Sequence, residues 1–172
     1  MFKTTCALTN PPFLRVKRAY PDAVLPLRAH ATDSGLDVTA YRFNFMYNDK
    51  NEKVELAMTD RSVTLKPQER VLVDTGICAT VGVGMEIQVR SRSGLSLKQG
   101  LVVTNQPGTV DESFRAPIGV ILINTSGVPQ TINVGDRIAQ LVVAPVILSI
   151  VEEVDDLDST DRGLGGFGST GV

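Results

Sequence analysis

Residues 118–124 read Ile118-Gly119-Val120-Ile121-Leu122-Ile123-Asn124, a nearly continuous apolar run that is typical of a strand buried on both faces. Upstream, Met85-Glu86-Ile87-Gln88-Val89-Arg90 alternates cleanly between apolar and polar side chains, as a half-buried strand does. Further runs rich in valine, isoleucine and threonine lie at 62–65, 70–77, 131–134 and 138–150. Because turns recur about every ten residues, the pattern predicts an all-β sandwich or barrel. One short helix is expected at 95–99, closed by Gly100.

Composition narrows the classes of partner. The length of 172 residues fits one globular domain, and the net charge of −2 provides no basic field for a nucleic-acid polymer or a membrane surface. Cys6 and Cys78 lie far apart, which argues against a metal site or a disulfide scaffold and suits a reducing compartment. We therefore expect a cytoplasmic protein, or a nuclear one if the host has a nucleus. His30 is the only histidine, so any acid–base catalysis would fall to carboxylates.

Two regions depart from the strand rhythm. Residues 42–60 alternate, turn at Asn48-Asp49-Lys50-Asn51 and alternate again, which predicts a hairpin that protrudes from the domain. Residues 152–161 carry six carboxylates and are expected to form a solvated linker. The predicted organisation is a β-barrel domain over 1–151, with the hairpin insert at about 42–60. An acidic linker and a glycine-rich arm follow over 152–172.

The chain ends in Arg162-Gly163-Leu164-Gly165-Gly166-Phe167-Gly168-Ser169-Thr170-Gly171-Val172, and five of its 15 glycines lie in the last ten residues. So few apolar groups cannot hold this tail in a core, and glycine loses much conformational freedom when it becomes ordered. Exposed N–H groups, a guanidinium and hydroxyls suit a phosphate chain, and the ring of Phe167 is free to stack on a base. These features favour a tail that is mobile alone and closes over a nucleotide. The alternative is a frayed terminus without function.

Polar residues interrupt the strand pattern at four further places, where packing would favour apolar residues. These segments lie at 31–38, 90–96, 105–115 and 135–141. Each is compatible with a turn, and Asp33-Ser34-Gly35 and Gly135-Asp136 are ordinary turn sequences. Arg92-Ser93-Gly94 is more specific, because it places a guanidinium, a hydroxyl and free N–H groups at the start of the short helix. Such an arrangement favours an anion.

Together, the order and spacing of the five polar segments resemble those of the trimeric dUTP pyrophosphatase family, from Arg28 to Val172. The arginine- and glycine-rich tail and the segment Gly108-Thr109-Val110-Asp111 favour this family over the related dCTP deaminases. The resemblance implies a jelly-roll-like β barrel assembled as a homotrimer, with three active sites at subunit contacts. One subunit would supply the first, second and fourth segments and another the third. The swapped glycine-rich arm of the remaining subunit would close the site.

The resemblance also implies a reaction. This is the Mg²⁺-dependent hydrolysis of dUTP to dUMP and pyrophosphate by water attack on the α-phosphorus, which limits uracil incorporation into DNA. Asp111 matches the catalytic carboxylate that orients and deprotonates the water, and Gln140 matches the glutamine that helps to hold it. A carboxylate is a weak base, so positioning and charge stabilisation would supply most of the acceleration. Asp37 matches the carboxylate that holds Mg²⁺ through water.

Two of the matched segments would bind the phosphates. Arg92, Ser93 and Gly94 match the family's phosphate-binding second segment. In the arm, Phe167 matches the ring that covers uracil, and the groups around it match a clamp on the γ-phosphate. The matched arm residues are Arg162, Gly166, Phe167, Gly168, Ser169 and Thr170.

The third segment would select the base and the sugar. Asn105 matches an amide contact to uracil. Main-chain groups of 105–114, including those of Gly108 and Val110, would read the base by their fixed alternation of donors and acceptors, which rejects a mispaired analogue. The ring of Phe114 would pack on the deoxyribose and leave no room for a 2′-hydroxyl.

The sequence departs from the family pattern at four positions. Phe114 stands where tyrosine is usual, so the ring is kept and its hydroxyl is lost. Ala116 and Pro117 follow Arg115 where the family has glycine and glutamate, which predicts an altered entrance to the next strand. Ser91 replaces the usual proline before Arg92.

Other functions stay open. A nucleotide-sensing or protein-binding module on the same fold would dock a protein partner through 42–60 and would bind nucleotide without turnover. A dCTP deaminase would release ammonia, and a structural jelly roll of viral type would leave the spacing of the polar segments to chance. The expected partners are dUTP and further copies of the chain, with Mg²⁺ as the cofactor.

Overall fold

Antiparallel pairing organises the chain, in agreement with the alternating sequence pattern. The computed structural model describes residues 13–166, and within this range there are 13 β-strands and one helix. The elements are β1 (Arg15–Arg18), β2 (Leu36–Thr39), β3 (Arg42–Tyr47), β4 (Lys53–Glu55), β5 (Ser62–Leu65), β6 (Arg70–Asp74), β7 (Ile77–Thr80), β8 (Met85–Arg90), α1 (Ser93–Gln99), β9 (Leu101–Val103), β10 (Gly108–Val110), β11 (Gly119–Asn124), β12 (Gln130–Asn133) and β13 (Arg137–Pro145).

Two main sheets share one core in a jelly-roll-like arrangement. The first has the strand order β4-β3-β6-β11-β9 and the second the order β10-β8-β13-β2, while β1-β7 and β12-β5 form two-stranded sheets. Between residues 13 and 166 the strands form these separate sheets and do not close into one barrel. Buried residues of both main sheets belong to a single apolar cluster, so the all-β prediction is confirmed.

Strand β11, which carries the apolar run, lies inside the first sheet between β6 and β9. Val120 and Leu122 are fully buried on its inner face. The prediction that both faces are buried is wrong, because Ile121 is only half-buried on the outer face. There it pairs with Leu72 of β6, which in turn pairs with Phe45 of β3. These three side chains form a half-buried apolar row across the outer face of the sheet.

The helix α1 and the segment 42–60 can be compared with their sequence predictions. Gly100 closes α1 with φ +66°, in the left-handed region, as the sequence predicts, although the helix begins two residues earlier than expected. Strand β3 is the second strand of the first sheet, with Phe43 and Met46 buried. The first half of the segment 42–60 therefore lies within the sheet. Its exposed part comprises the turn after β3, the short edge strand β4 and the following loop.

After β13 the chain leaves the domain. Residues 147–164 are exposed and contain no strand or helix. The run includes apolar side chains that a folded chain normally covers, among them Ile147, Ile150 and Val151, which are 90%, 95% and 94% exposed. No helix among residues 13–166 is long and apolar enough to cross a membrane. The cytoplasmic location stays a prediction.

Asn124 ends β11 as a fully buried polar residue. Its Nδ2 donates to the carbonyl oxygens of Leu65 at 2.9 Å and Val128 at 2.8 Å, and its Oδ1 accepts from the N–H of Ser126 at 2.9 Å. Replacing Asn124 removes these bonds from the buried carbonyl of Leu65 and from two partly buried main-chain groups in the turn after β11.

We expect Asn124→Ala to lower the free energy of unfolding by about 2–4 kcal/mol, because buried polar groups lose their partners. Urea denaturation followed by circular dichroism measures this loss. Thr64→Val is the control: it removes an exposed hydroxyl pair with Thr131 and should change stability by only about 0.5 kcal/mol. Equal losses in the two variants would contradict the role given to Asn124.

Candidate active site

Two arginines converge on one carboxylate at the end of the second sheet. Arg92 Nε donates to Asp37 Oδ1 at 2.9 Å, and Arg137 Nη1 donates to Asp37 Oδ2 at 3.0 Å. Arg92 Nη1 also donates to the main-chain oxygen of Arg137 at 3.1 Å. Asp37 is largely buried, with a side chain that is 19% exposed, whereas Arg137 is more than half exposed. The cluster therefore presents positive charge to solvent above a shielded carboxylate.

The register of β13 creates this cluster. Gln140 pairs with Asp37 of β2 on one side and with Arg90 of β8 on the other. The β2–β13 register shifts between Arg137 and Ala139, an irregularity of the kind that redirects a side chain at a sheet edge. Sequence positions that are far apart are thus brought to the same end of the sheet.

Gln140 is held on two sides. Its Nε2 donates to the main-chain oxygen of Ser91 at 2.9 Å. On the other side, a Cβ added to Gly35 would lie 2.0 Å from Gln140 Oε1, so only glycine leaves room for this side chain. The amide is oriented with its donor group engaged.

The predicted phosphate-binding segment starts α1. Arg92 is the N-cap residue, and Ser93 and Gly94 are exposed in a first turn that contains no acidic residue. An added Cβ on Gly94 would meet nothing within 4 Å, so the main chain is open to a ligand here.

The third segment forms an edge strand. β10 pairs only with β8 in its sheet, Gly108 opposite Val89 and Val110 opposite Ile87, and both β10 residues are buried. An edge strand leaves one row of main-chain donors and acceptors without ladder partners. Asn105, just before β10, is exposed, and its Nδ2 lies 3.3 Å from the place where a Cβ on Gly108 would stand.

Asp111 stands apart from Gln140 within one chain. Val110 lies opposite Ile87 and Gln140 opposite Arg90, so three residues of β8, about 10 Å, separate them along the strand. β10 and β13 flank β8 on opposite sides, which adds about 10 Å across the sheet. Asp111 is exposed in a shallow cavity of about 300 Å³ that also contains Glu86 and Glu112.

The rest of the third segment is a tight turn. The N–H of Phe114 donates to the main-chain oxygen of Asp111 at 3.1 Å, and the ring of Phe114 is 39% exposed. Arg115 donates to the main-chain oxygen of Glu112, which stabilises the turn. Pro117 lies two residues before Gly119, the first residue of β11, so it removes no donor from within that strand.

The described part of the arm is largely exposed and bonds locally. Arg162 Nε donates to the main-chain oxygen of Gly165 at 2.9 Å, and Arg162 and Gly166 are exposed. Four of the predicted arm residues lie outside the described range: Phe167, Gly168, Ser169 and Thr170.

Comparison with known proteins assigns the family. The family model described as dUTPase matches residues 22–171. The chain belongs to the dUTPase family. It is 44% identical to the deoxyuridine 5'-triphosphate nucleotidohydrolase of Hydrogenobaculum sp., over 92% of the chain and 98% of that relative. It is 40% identical to the enzyme of the same name from Picosynechococcus sp., over 92% of the chain and 99% of that relative.

Solved dUTPase structures share the fold. A variant of the Staphylococcus bacteriophage 80alpha dUTPase with dUpNHpp superposes with a TM-score of 0.74 at 26% identity, over 93% of this chain and 99% of that one. The dUTPase from phage phi11 of S. aureus superposes at 0.65 with 24% identity, over 86% of this chain and 99% of that one. A related phi11 structure is described as revealing the coordination of a structural Mg(II) ion.

The oxygen atoms at the candidate site show whether this dUTPase has ligands that suit a magnesium ion. Within residues 13–166, no group of three or more His, Cys, Asp or Glu side chains is arranged to hold a metal. A carboxylate has about four lone-pair sites, and the guanidinium donors of Arg92 and Arg137 use two of those on Asp37. Asp37 can therefore still accept from metal-bound water. This fits an ion that is held mainly by phosphate oxygens, as Mg²⁺ commonly is.

Sequence reasoning passed over three residues that build the site. Arg137 contacts both Asp37 and Arg92, while Ser91 and Gln106 bond each other across the start of the base-reading segment. Arg137 had a signal in the sequence, because it is the charged residue that begins the long apolar run of β13. The roles of Ser91 and Gln106 depend on contacts between separate strands, which no local pattern encodes.

Gly35→Ala tests whether the space beside Gly35 holds the side chain of Gln140 in place. The new Cβ would displace the end of a flexible side chain, so we expect a stability loss of only about 1 kcal/mol but a broken Gln140–Ser91 bond. The side-chain amide resonances of Gln140, measured by NMR, should shift. Gly127→Ala is the matched control, because an added Cβ there meets nothing within 4 Å. Unchanged Gln140 resonances in Gly35→Ala would contradict this role of Gly35.

Proposed function

We propose that the protein is a dUTP diphosphatase that hydrolyses dUTP to dUMP and pyrophosphate by water attack on the α-phosphorus, and so limits uracil incorporation into DNA. The observation that supports this most directly is the cluster of Arg92, Asp37 and Gln140 at one end of the second sheet, within a chain that belongs to the dUTPase family. The substrate named for its relatives is deoxyuridine triphosphate.

The roles in hydrolysis follow from the chemistry of each side chain. Asp111 is an exposed carboxylate and acts as the base that orients the attacking water. Gln140 donates one N–H of its Nε2 to Ser91, which orients the amide, and its Oε1 accepts a hydrogen bond from that water. Arg92, with Ser93 and Gly94, binds the phosphates and stabilises the charge that develops on them. Most of the acceleration then comes from orientation and fixed positive charge.

Base selection is supported by the position of β10. As an edge strand it offers main-chain donors and acceptors at Gly108 and Val110 to the base, and Asn105 adds a side-chain amide beside them. Uracil and cytosine differ in donor and acceptor pattern, so a site built on such bonds discriminates strongly. The exposed ring of Phe114 packs on the deoxyribose.

The proposed magnesium ion binds together with the phosphates of the substrate. When bound, Mg²⁺ would offset the negative charge of the phosphates. Asp37 would hold the ion through water, using the lone pairs that Arg92 and Arg137 leave free. The arm then closes over the nucleotide, with Phe167 on uracil. Arg162, Gly166, Gly168, Ser169 and Thr170 lie around the γ-phosphate.

A homotrimer completes the site. Because Asp111 is distant from Gln140 in one chain, a second copy must bring its own Asp111 to the cluster. Two surfaces support assembly: the apolar row of Phe45, Leu72 and Ile121, and the exposed apolar segment after β13. Both would lose their contact with water when copies associate.

Asp111→Asn tests the catalytic assignment. We expect turnover of dUTP to fall by at least about 1,000-fold while affinity for a non-hydrolysable imido analogue changes little, because the amide keeps the shape but cannot take a proton. Pyrophosphate release and isothermal titration calorimetry measure the two quantities. The same release assay on UTP, dTTP and dCTP, with and without Mg²⁺, checks the substrate. Ammonia released from dCTP would instead identify a deaminase.

Mixed trimers test the shared site. We expect Asp111→Asn and Arg92→Ala to be inactive alone but active when co-expressed, because a site with Arg92 from one copy and Asp111 from another is intact. With random association, three trimers in four are mixed and one site in three of each is intact, giving about a quarter of wild-type activity. Co-expression with no recovery, although mass measurement shows mixed trimers, would place both residues in the same subunit's site.

A regulatory role is the second candidate. Solved structures of the 80alpha dUTPase carry the description that phage dUTPases control the transfer of virulence genes. The exposed part of 42–60, with Met58 74% exposed, is the segment through which such a module would bind a protein partner. Nucleotide binding without turnover would favour this role.

A further inference from the structure

Ser91 connects three separate parts of the site. Its N–H donates to Gln106 Oε1 at 2.7 Å, and its hydroxyl oxygen accepts from the N–H of Val103 at 2.8 Å. Its main-chain oxygen accepts from Gln140 Nε2 at 2.9 Å. Every polar group of this residue is therefore engaged with a different segment of the chain.

The hydroxyl bond joins the two main sheets. β9 is an edge strand of the first sheet, and the neighbouring Thr104 donates its N–H to Ile121 of β11. Successive N–H groups of a strand point to opposite sides, so the N–H of Val103 points away from β11. Ser91, directly after β8 of the second sheet, supplies its acceptor. The bond fixes the chain at the point where it leaves β8 towards Arg92.

We infer that Ser91 is a positioning residue for hydrolysis, which acts by holding the carbonyl that orients Gln140. A proline, usual here in the family pattern, restricts the backbone through its ring and has neither an N–H nor a hydroxyl. In this chain the bonds to Gln106 and Val103 replace that restriction. The inference rests on the proposed dUTP hydrolysis, because Gln140 matters through the water that it holds.

The bonds that Ser91 makes determine which step of the reaction its replacement affects. Ser91→Ala keeps the main chain and the carbonyl but removes the acceptor for Val103, so the segment from β8 to α1 loosens and Gln140 loses a fixed partner. Arg92 itself stays anchored by its bonds to Asp37 and to the main-chain oxygen of Arg137, and Ser93 and Gly94 belong to α1, so we expect these phosphate-binding groups to keep their places. The effect should therefore fall on the chemical step and not on binding.

Kinetics of Ser91→Ala, Ser91→Thr and the control Ser126→Ala test this role. The hydroxyl of Ser126 bonds Asn124 and Val128 in the turn after β11. Ser126→Ala therefore also removes a hydrogen-bonded serine hydroxyl, but one that does not contact the candidate active site. In Ser91→Ala we expect kcat to fall about tenfold with KM and the affinity for the imido analogue within about twofold. Ser91→Thr, which keeps the hydroxyl, should restore kcat, and Ser126→Ala should keep the wild-type value.

A second readout does not depend on turnover. The side-chain amide resonances of Gln140 should shift or broaden in Ser91→Ala and stay unchanged in Ser126→Ala. A wild-type kcat in Ser91→Ala, a failure of threonine to rescue, or unchanged Gln140 resonances would each overturn the inference. Absence of dUTP hydrolysis by the wild-type protein would refute the proposed function instead, and the NMR comparison would still report whether Ser91 positions Gln140.

Discussion

The pairing of β13 between β2 and β8 is the constraint on which the site depends. With Gln140 opposite Asp37 on one side and Arg90 on the other, three polar segments meet at one end of a sheet. Because side chains alternate along a strand, a slip of one residue would turn Gln140 to the opposite face and separate Arg137 from Asp37. Buried neighbours on the same strand, Ile138, Ala139 and Leu141, oppose such a slip.

Charge and shape act together at this end of the sheet. A carboxylate that is four-fifths buried would be unfavourable alone, and the guanidinium groups of Arg92 and Arg137 stabilise it while their outer faces stay available to a phosphate chain. Gln140 lies beside them in a seat that only a glycine at position 35 allows. Hydrogen bonds within the protein hold Asp37, Arg92 and Gln140 in place, and such preorganisation is what electrostatic catalysis requires.

A single chain nevertheless presents only part of a catalytic site. The carboxylate of Asp111 lies at the far end of β8 from Gln140, and the segment after β13 extends into solvent with its apolar side chains uncovered. In the proposed homotrimer, association of copies would bring a second Asp111 to the cluster and would cover these apolar side chains. The outer apolar row on β3, β6 and β11 is a second apolar surface that such an association would cover.

From periodicity, turn geometry and residue type, which are local properties, the sequence predicted β5, β6, β8, β11 and β12, the helix end at Gly100 and a set of candidate site residues. It did not show β1, β2, β9 and β10 as strands, and its last predicted run, 138–150, extends five residues past the end of β13 at Pro145. It did not reveal that β3 belongs inside a sheet, that Ile121 faces outward, or that Arg137, Ser91 and Gln106 belong to the site. Those facts depend on register and on which strands become neighbours, and these follow from the packing of the whole core. The strand register places Asp37 between two arginines and Asp111 apart from Gln140, since strand pairing joins residues that the chain separates by more than 100 positions.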